Sequence, residues 1–331
     1  MSGLRFGFIG AGGIARGHGQ RLLAIDGVEI AALADPSGDS LAAFGEAVFN
    51  GGPRAKHYDD YREMLEKEKL DAVLVCSPHT LHTEQIIDSL RAGLHVLAEK
   101  PLACSEEETH RIIGEAEKAG RQLMVSFQRR LKAVQRHMRS IIRDPGFGKV
   151  LTVASFVSQS WLTSQRGTWR QKLALSGGGQ LNDTGAHIID MVMWMLDDEV
   201  AEVSAFIENR GCEVDIDSAI SYRTKGGAVG TLTVMGSSPK CPMWEDMTIN
   251  GDGGSAFFYR RGKLWVVRGD SGKFEEEQIP GEDVSPDRHF VEVVAGRCEN
   301  ESPARDFLRN IKFTEAAWQS AANGGKPVAL A

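Results

Sequence analysis

Leu4-Arg5-Phe6-Gly7-Phe8-Ile9-Gly10-Ala11-Gly12-Gly13-Ile14-Ala15 runs a short apolar strand pattern straight into a GxGxxA turn that opens a helical pattern. Gly10 permits the tight turn, Gly12 lets backbone approach a pyrophosphate, and Ala15 lets the helix pack close to the strand. The helix start, with Gly13 and Ile14 in its first turn, supplies N–H donors and a positive dipole for an anion. Such a glycine pattern is weak evidence alone. It gains weight from its place between strand and helix, and from Asp35, which ends the second strand pattern at about the expected spacing. A carboxylate there accepts hydrogen bonds from an adenosine ribose and repels a 2′-phosphate, so the expected cofactor is NAD rather than NADP.

Outward from this turn, apolar runs at 4–9, 28–34, 72–75, 94–98 and 122–127 alternate with helical-period segments at 14–25, 41–48, 60–69, 80–92 and 106–119. Asp60 with Glu63, and Ser105 with Glu108, give two of these helices capping-box starts. Alternation of this kind implies βαβ units and a doubly wound parallel sheet. After a bridging helix at 130–142 the pattern changes. Strand-like runs at 150–158, 200–207, 219–223, 228–234, 246–249, 255–259 and 264–268 are joined by turns such as Lys225-Gly226-Gly227. They imply a mainly antiparallel sheet, interrupted by a helix after His187 and completed by helices at 287–295 and 304–322. The expected fold class is α/β: a Rossmann dinucleotide-binding domain over 1–126 and a second α/β domain over 127–331.

Composition narrows the function. The 331 residues are 42% hydrophobic and 25% charged, the balance of a soluble globular protein rather than a disordered one. A net charge of -7, with no basic tail or stripe, argues against nucleic-acid and anionic-membrane partners. The short Arg129-Arg130-Leu131-Lys132 cluster reads as a helix face. Cys76, Cys104, Cys212, Cys241 and Cys298 are odd in number and lack CxxC spacing, which disfavours a disulfide framework or a cysteine zinc site. With no signal-peptide pattern and no stretch of transmembrane length, a cytoplasmic location is expected.

Three further stretches carry chemistry. His95-Val96-Leu97-Ala98-Glu99-Lys100-Pro101 places a lysine at the carboxyl edge of an apolar strand, where open α/β sheets hold their ligands. Read alone, Lys100 is equally a solvated lysine before a turn proline and a partly desolvated group suited to proton transfer. Val75-Cys76-Ser77-Pro78-His79-Thr80-Leu81-His82 leaves the sheet at the same edge. Ser77 and Pro78 there suggest a loop beside the nicotinamide, and His82 a residue that caps or lines the site. His79 and His82 lack a third ligand at recognisable spacing, so no metal is expected. Finally, Gly177-Gly178-Gly179-Gln180-Leu181-Asn182-Asp183-Thr184-Gly185-Ala186-His187 sets Asp183 and His187 four apart, on one face of a helical turn. The pair reads either as a carboxylate-oriented general base or as an Asp cap with a packed histidine. Trp161, Trp169 and Arg170 precede it on a loop, suited either to a sugar ring and its hydroxyls or to simple anchoring.

In this order, the GxGxxA start, Glu99-Lys100-Pro101 and Gly-Gly-x-x-x-Asp-x-Gly-x-His ending at His187 resemble the Gfo/Idh/MocA family of NAD(P)-dependent oxidoreductases. The likeness extends to the strand and turn at 249–255 and to the closing helix before Gly324-Gly325-Lys326-Pro327-Val328. It covers essentially the whole chain. The resemblance implies a C-terminal domain whose open sheet often serves oligomerisation, hence a homodimer or homotetramer. It also implies Lys100, Asp183 and His187 as the catalytic set, Glu99 facing the nicotinamide ribose, and a cis bond before Pro101. Many relatives carry Asn-Arg after the sixth strand where this chain has Gln128-Arg129-Arg130, which leaves Gln128 as the candidate cofactor contact. The implied reaction is hydride transfer between NAD and a CH–OH carbon of a sugar, cyclic polyol or sugar acid. Two alternatives stand beside it: an enzyme that retains NAD and oxidises only transiently, and a non-catalytic NAD(P)-sensing regulator.

Overall fold

The computed structural model describes residues 3–50, 55–240 and 243–330. The chain divides into two compact units, one made of 1–128 with 284–305, the other of 129–283 with 306–331.

The first unit holds six strands: β1 (Leu4–Ile9), β2 (Val28–Ala34), β3 (Lys56–Tyr58), β4 (Ala72–Val75), β5 (His95–Ala98) and β6 (Leu123–Val125). All pair in parallel, in the order β3-β2-β1-β4-β5-β6. The order reverses at β1/β4, so the glycine turn after β1 and the Ser77 loop after β4 flank the switch point where such sheets bind ligands. The sequence reading missed β3, whose three residues are polar and largely exposed, with no apolar run to announce them. Asp60 and Ser105 both cap their helices, but the expected box of Asp60 with Glu63 does not close, Glu63 pairing with Lys67 instead. Asp60 accepts from the Arg62 N–H, and Ser105 Oγ accepts from the Glu108 N–H while Glu108 reaches back to the N–H of Cys104.

The expected boundary at 126/127 is corrected in two ways. The division falls after Gln128, and the segment 284–305 belongs to the first unit rather than the second. Its helix Pro286–Val294 inserts Phe290 and Val291 into the core around Phe6, Phe8 and Leu33, with the Phe290 ring edge-on to Phe6 at 6.0 Å. The Val125 N–H then donates to the Ser302 carbonyl at 2.9 Å, tying the end of β6 to the same segment.

The second unit is built on nine strands: β7 (Val150–Ser158), β8 (Val200–Glu208), β9 (Asp217–Thr224), β10 (Val229–Met235), β11 (Trp244–Gly251), β12 (Ala256–Arg260), β13 (Lys263–Val267), β14 (Glu275–Glu276) and β15 (Val328–Ala329). Their order is β14-β13-β12-β11-β7-β10-β9-β8-β15, antiparallel except for the parallel pair β7/β10. Burial alternates along β7, β9 and β10, as it must in a sheet covered on one face. Val153, Val157, Ile220, Leu232 and Val234 join a core with helices Ala133–Arg143, Ala186–Leu196 and Phe307–Ala322. The opposite face exposes a shallow depression lined by Thr152, Ala154, Ser204, Ser221, Thr231 and Thr248.

The Arg129-Arg130 cluster is not a helix face. Both arginines are buried in a tight turn over Gln128–Leu131, Arg130 between Asp190 and Asp306 and Arg129 against Glu245. Cys76, Cys104, Cys212 and Cys298 are free thiols, and Cys241 lies outside the described residues. Among the described residues, no helix is long and apolar enough to cross a membrane.

Candidate active site

In the first unit, Gly10 takes φ +94°, and a Cβ there would stand 2.8 Å from the backbone of Cys76 and Ser77. Only glycine lets the turn pass this close to the loop after β4. Helix Gly13–Leu23 follows with Gly12 at its N-cap and no side chain capping it, so its first donors face outward without a side-chain acceptor. Ile14 is exposed beside them. Asp35 Oδ2 accepts from the Ala11 N–H at 2.8 Å and Oδ1 from the Ser37 N–H at 2.9 Å, so this carboxylate also holds the glycine turn to the end of β2.

On the next loop, Ser77 is buried and its hydroxyl donates to Gln85, with Pro78 half-buried after it. His82 is placed differently from the expectation that it lines the site. It is fully buried, Nδ1 2.9 Å from the Pro101 carbonyl and Nε2 2.9 Å from the Ser77 carbonyl, so it ties two loops together from behind. Burial lowers its pKa against the pull of those two carbonyls. His79 packs edge-on against it, and no group of three or more His, Cys, Asp or Glu among the described residues could hold a metal.

Lys100 is half-buried at the end of β5, and the Lys100–Pro101 bond is cis. Glu99 does not stand free to face a ribose. Its Oε1 is bound to buried His18 at 2.9 Å and its Oε2 accepts from the Lys100 N–H at 3.3 Å. Burial pushes the Glu99 carboxyl up, but the bond and charge of His18, with the charge of Lys100, hold it below its ordinary range. Gln128 is exposed at the last position of the unit's first segment.

In the second unit, Leu181–Gly185 forms a π-helical turn that runs into helix Ala186–Leu196. Turns of this pitch recur at functional sites because they displace side chains from α-helical register. Asp183 lies in the π turn and His187 one residue inside the α-helix, so their spacing spans a change of pitch. Asp183 is not the helix cap; that position is Gly185. Its Oδ2 instead accepts from Trp161 Nε1 at 3.0 Å and Arg170 Nε at 3.2 Å. Trp161 is therefore not a sugar platform: it is 1% exposed, packed with Val214 and Ile216, and spends its N–H on Asp183. Trp169 remains partly exposed, with the Arg170 guanidinium 4.5 Å over its ring. His187 and Asp183 each keep 7% of their surface exposed.

Sequence reasoning missed the acid behind this turn. Asp215 accepts from the N–H groups of Gly179 and Leu181 and from Trp318 Nε1, while its own carbonyl accepts from Gln180. The approach is so close that a Cβ on Gly179 would stand 1.9 Å from the Asp215 carbonyl oxygen. The glycine run hinted at a close backbone neighbour, but nothing local identified a partner 36 residues away.

A glycine turn at the switch point of a parallel sheet, joined in sequence to a mixed-sheet unit with a buried Asp–His turn, defines a dinucleotide-binding α/β protein of two units. Residues 4–127 match the family model described as oxidoreductase family, NAD-binding Rossmann fold, and residues 135–257 match the GFO/IDH/MocA C-terminal domain. The chain belongs to the Gfo/Idh/MocA family of oxidoreductases. It is 32% identical to myo-inositol 2-dehydrogenase of Thermotoga maritima over 69% of this chain and 67% of that protein. With 1,5-anhydro-D-fructose reductase of Ensifer adhaerens it shares 31% identity over 62% of this chain and 61% of that one. Matches to such curated relatives thus span between about half and two thirds of their length. The crystallised WlbA dehydrogenase of Bordetella pertussis, in complex with NADH and UDP-GlcNAcA, shares the fold at a TM-score of 0.83, with 23% identity over 99% of both chains.

Proposed function

We propose that this chain transfers hydride between a CH–OH carbon of a sugar, cyclic polyol or sugar acid and NAD. The observation that carries the reading is Asp183, a carboxylate fixed by Trp161 and Arg170 in a π turn one step before His187. Structural packing alone has no need of an acid held this way four residues before a buried imidazole. The first unit fits the cofactor: Gly10 lets the turn lie close against the loop after β4, and the uncapped start of helix Gly13–Leu23 suits a pyrophosphate. Asp35 retains acceptor capacity for the adenosine ribose, and its charge favours NAD over NADP. Ser77, Pro78 and Gln128 are assigned to the same cofactor.

When bound, NAD supplies the hydride acceptor. His187 takes the hydroxyl proton as the C–H pair leaves as hydride, giving a ketone or lactone, and Asp183 supports the charge that develops on the imidazole. Lys100 donates a hydrogen bond to the same oxygen and stabilises its growing negative charge. Trp169 and Arg170 supply a ring face and a donor for the substrate. The relatives' names, an inositol dehydrogenase and an anhydrofructose reductase, support a polyhydroxylated ring. We further place the protein in the cytoplasm, on its free thiols, and assign the open face of the nine-stranded sheet to self-association as a dimer or tetramer.

Screening inositols, aldoses and uronates with NAD for NADH absorbance tests the reading. Turnover with stoichiometric NADH release is expected; its absence with net conversion of the sugar would assign the NAD-retaining alternative, and no conversion at all the regulatory one. Lys100→Ala should lose at least ~10²-fold in kcat while keeping NAD affinity. Near-normal turnover by that variant refutes the role of Lys100.

A further inference from the structure

Helix Gly13–Leu23 carries a buried histidine that none of these steps uses. His18 is 1% exposed, and each ring nitrogen faces a carboxylate: Nδ1 lies 2.5 Å from Asp287 Oδ1 and Nε2 lies 2.9 Å from Glu99 Oε1. Asp287 is itself fully buried, and its second oxygen accepts from Arg21 on the same helix as His18. The second oxygen of Glu99 accepts from the Lys100 N–H. A single row therefore runs from Arg21 through Asp287, His18 and Glu99 to the backbone of Lys100. It is assembled from helix Gly13–Leu23, the end of β5, and helix Pro286–Val294 of the returning segment.

The geometry selects a protonation state. A neutral imidazole has one N–H and can donate to only one of two flanking carboxylates, whereas the imidazolium donates to both. Burial opposes the charge, but the hydrogen bonds to Asp287 and then Glu99, with the charges of both, outweigh it and push His18 up to about 9. The other groups facing this row are Arg21, Lys100 and the buried thiol of Cys76, which burial and the two carboxylates push well up.

We propose that His18 is a positioning residue: as an imidazolium braced on Asp287 it fixes the Glu99 carboxylate, which holds the backbone that presents Lys100. The proposal rests on the assignment of Lys100 to the reaction. It makes Asp287, far along the chain, a determinant of the Lys100 geometry, and it makes the brace titratable. Loss of the His18 proton takes the His18 donor from one of the two carboxylates and slackens the strand end.

The test uses the full chain with labelled histidine. The His18 ring resonances, assigned by their loss in His18→Gln, should report an imidazolium through neutral pH with a midpoint near 9. Asp287→Asn keeps the side-chain shape and removes the charge, so the midpoint should fall toward the ordinary 6.5. The alkaline limb of kcat should fall with the same midpoint in the wild type and move down with it in Asp287→Asn, with KM for NAD little changed. A merely structural role lowers stability and kcat at every pH and leaves the limb in place. An ordinary His18 midpoint in the wild type, or an unmoved limb in Asp287→Asn, overturns the proposal. Should no substrate turn over, acylation of Lys100 by acetic anhydride, read against surface lysines by peptide mass spectrometry, decides without chemistry on a sugar. A changed Lys100 reactivity in Asp287→Asn supports the brace, and an unchanged one refutes it.

Discussion

Truncating Asp215 to alanine should cost the second unit about 3–5 kcal/mol. The carboxylate is 5% exposed and accepts the Gly179 N–H at 2.9 Å, the Leu181 N–H at 2.7 Å and Trp318 Nε1 at 3.0 Å. Alanine leaves all three donors without an acceptor, and each stranded buried donor costs about 1–3 kcal/mol, or roughly 3–9 together. The recovered desolvation of a buried charge offsets part of this. Burial pushes the Asp215 carboxyl above its ordinary range, and the three donors only partly reverse that. The net therefore falls in the lower half of the range. Asp215→Asn keeps the shape and one acceptor oxygen and should cost about half as much. Urea unfolding at neutral pH followed by tryptophan fluorescence isolates the effect, because all six tryptophans belong to the second unit. An unfolding free energy for Asp215→Ala within about 0.5 kcal/mol of wild type would show that the glycine run before Asp183 stands without this acid.

Trp161→Phe keeps the packing but withdraws the indole donor from Asp183; a loss of about 1–1.5 kcal/mol of transition-state stabilisation, near tenfold in kcat with KM little moved, is expected from steady-state kinetics. Asp190→Ala leaves Arg130 buried with Asp306 as its remaining carboxylate, and should destabilise the second unit by about 3–5 kcal/mol in the same fluorescence assay. His18 makes stability depend on pH. Its folded value, about 9, exceeds the unfolded 6.5, so its contribution is complete below about pH 6.5 and lost as pH rises through about 9. Hydrogen exchange of first-unit amides should show this loss, on the order of 3 kcal/mol, in the wild type, and no such step in His18→Gln.

What could be read in advance followed the range of the signal. The strand–helix alternation of 1–126, the glycine turn and the caps at Asp60 and Ser105 are local, and each is visible within a few residues because period and backbone chemistry are local properties. The roles that changed all depend on distant partners. An indole that stacks on a sugar and one that donates to Asp183 from a packed pocket have the same sequence, and Trp161 is the second kind. Glu99 and His82 sit at the expected sheet edge, but His18 and two backbone carbonyls occupy them from within. Helix Pro286–Val294 is amphipathic whichever unit it covers, and contacts far off in sequence, such as Phe290 with Phe6 and Asp287 with His18, decide between them.

The return of 284–305 to the first unit has a consequence for biosynthesis. On the ribosome, residues 1–128 emerge with every strand of their sheet but without Phe290 to seal the core beside Phe6 or Asp287 to complete the row through His18. Roughly 160 residues must follow before that segment appears, a delay on the order of ten to thirty seconds at about 5–20 residues per second. Through that interval the nascent unit exposes an apolar seam and a histidine with a single carboxylate partner. The second unit's sheet can meanwhile form most of its strands, so the unit that starts first is the one that finishes late.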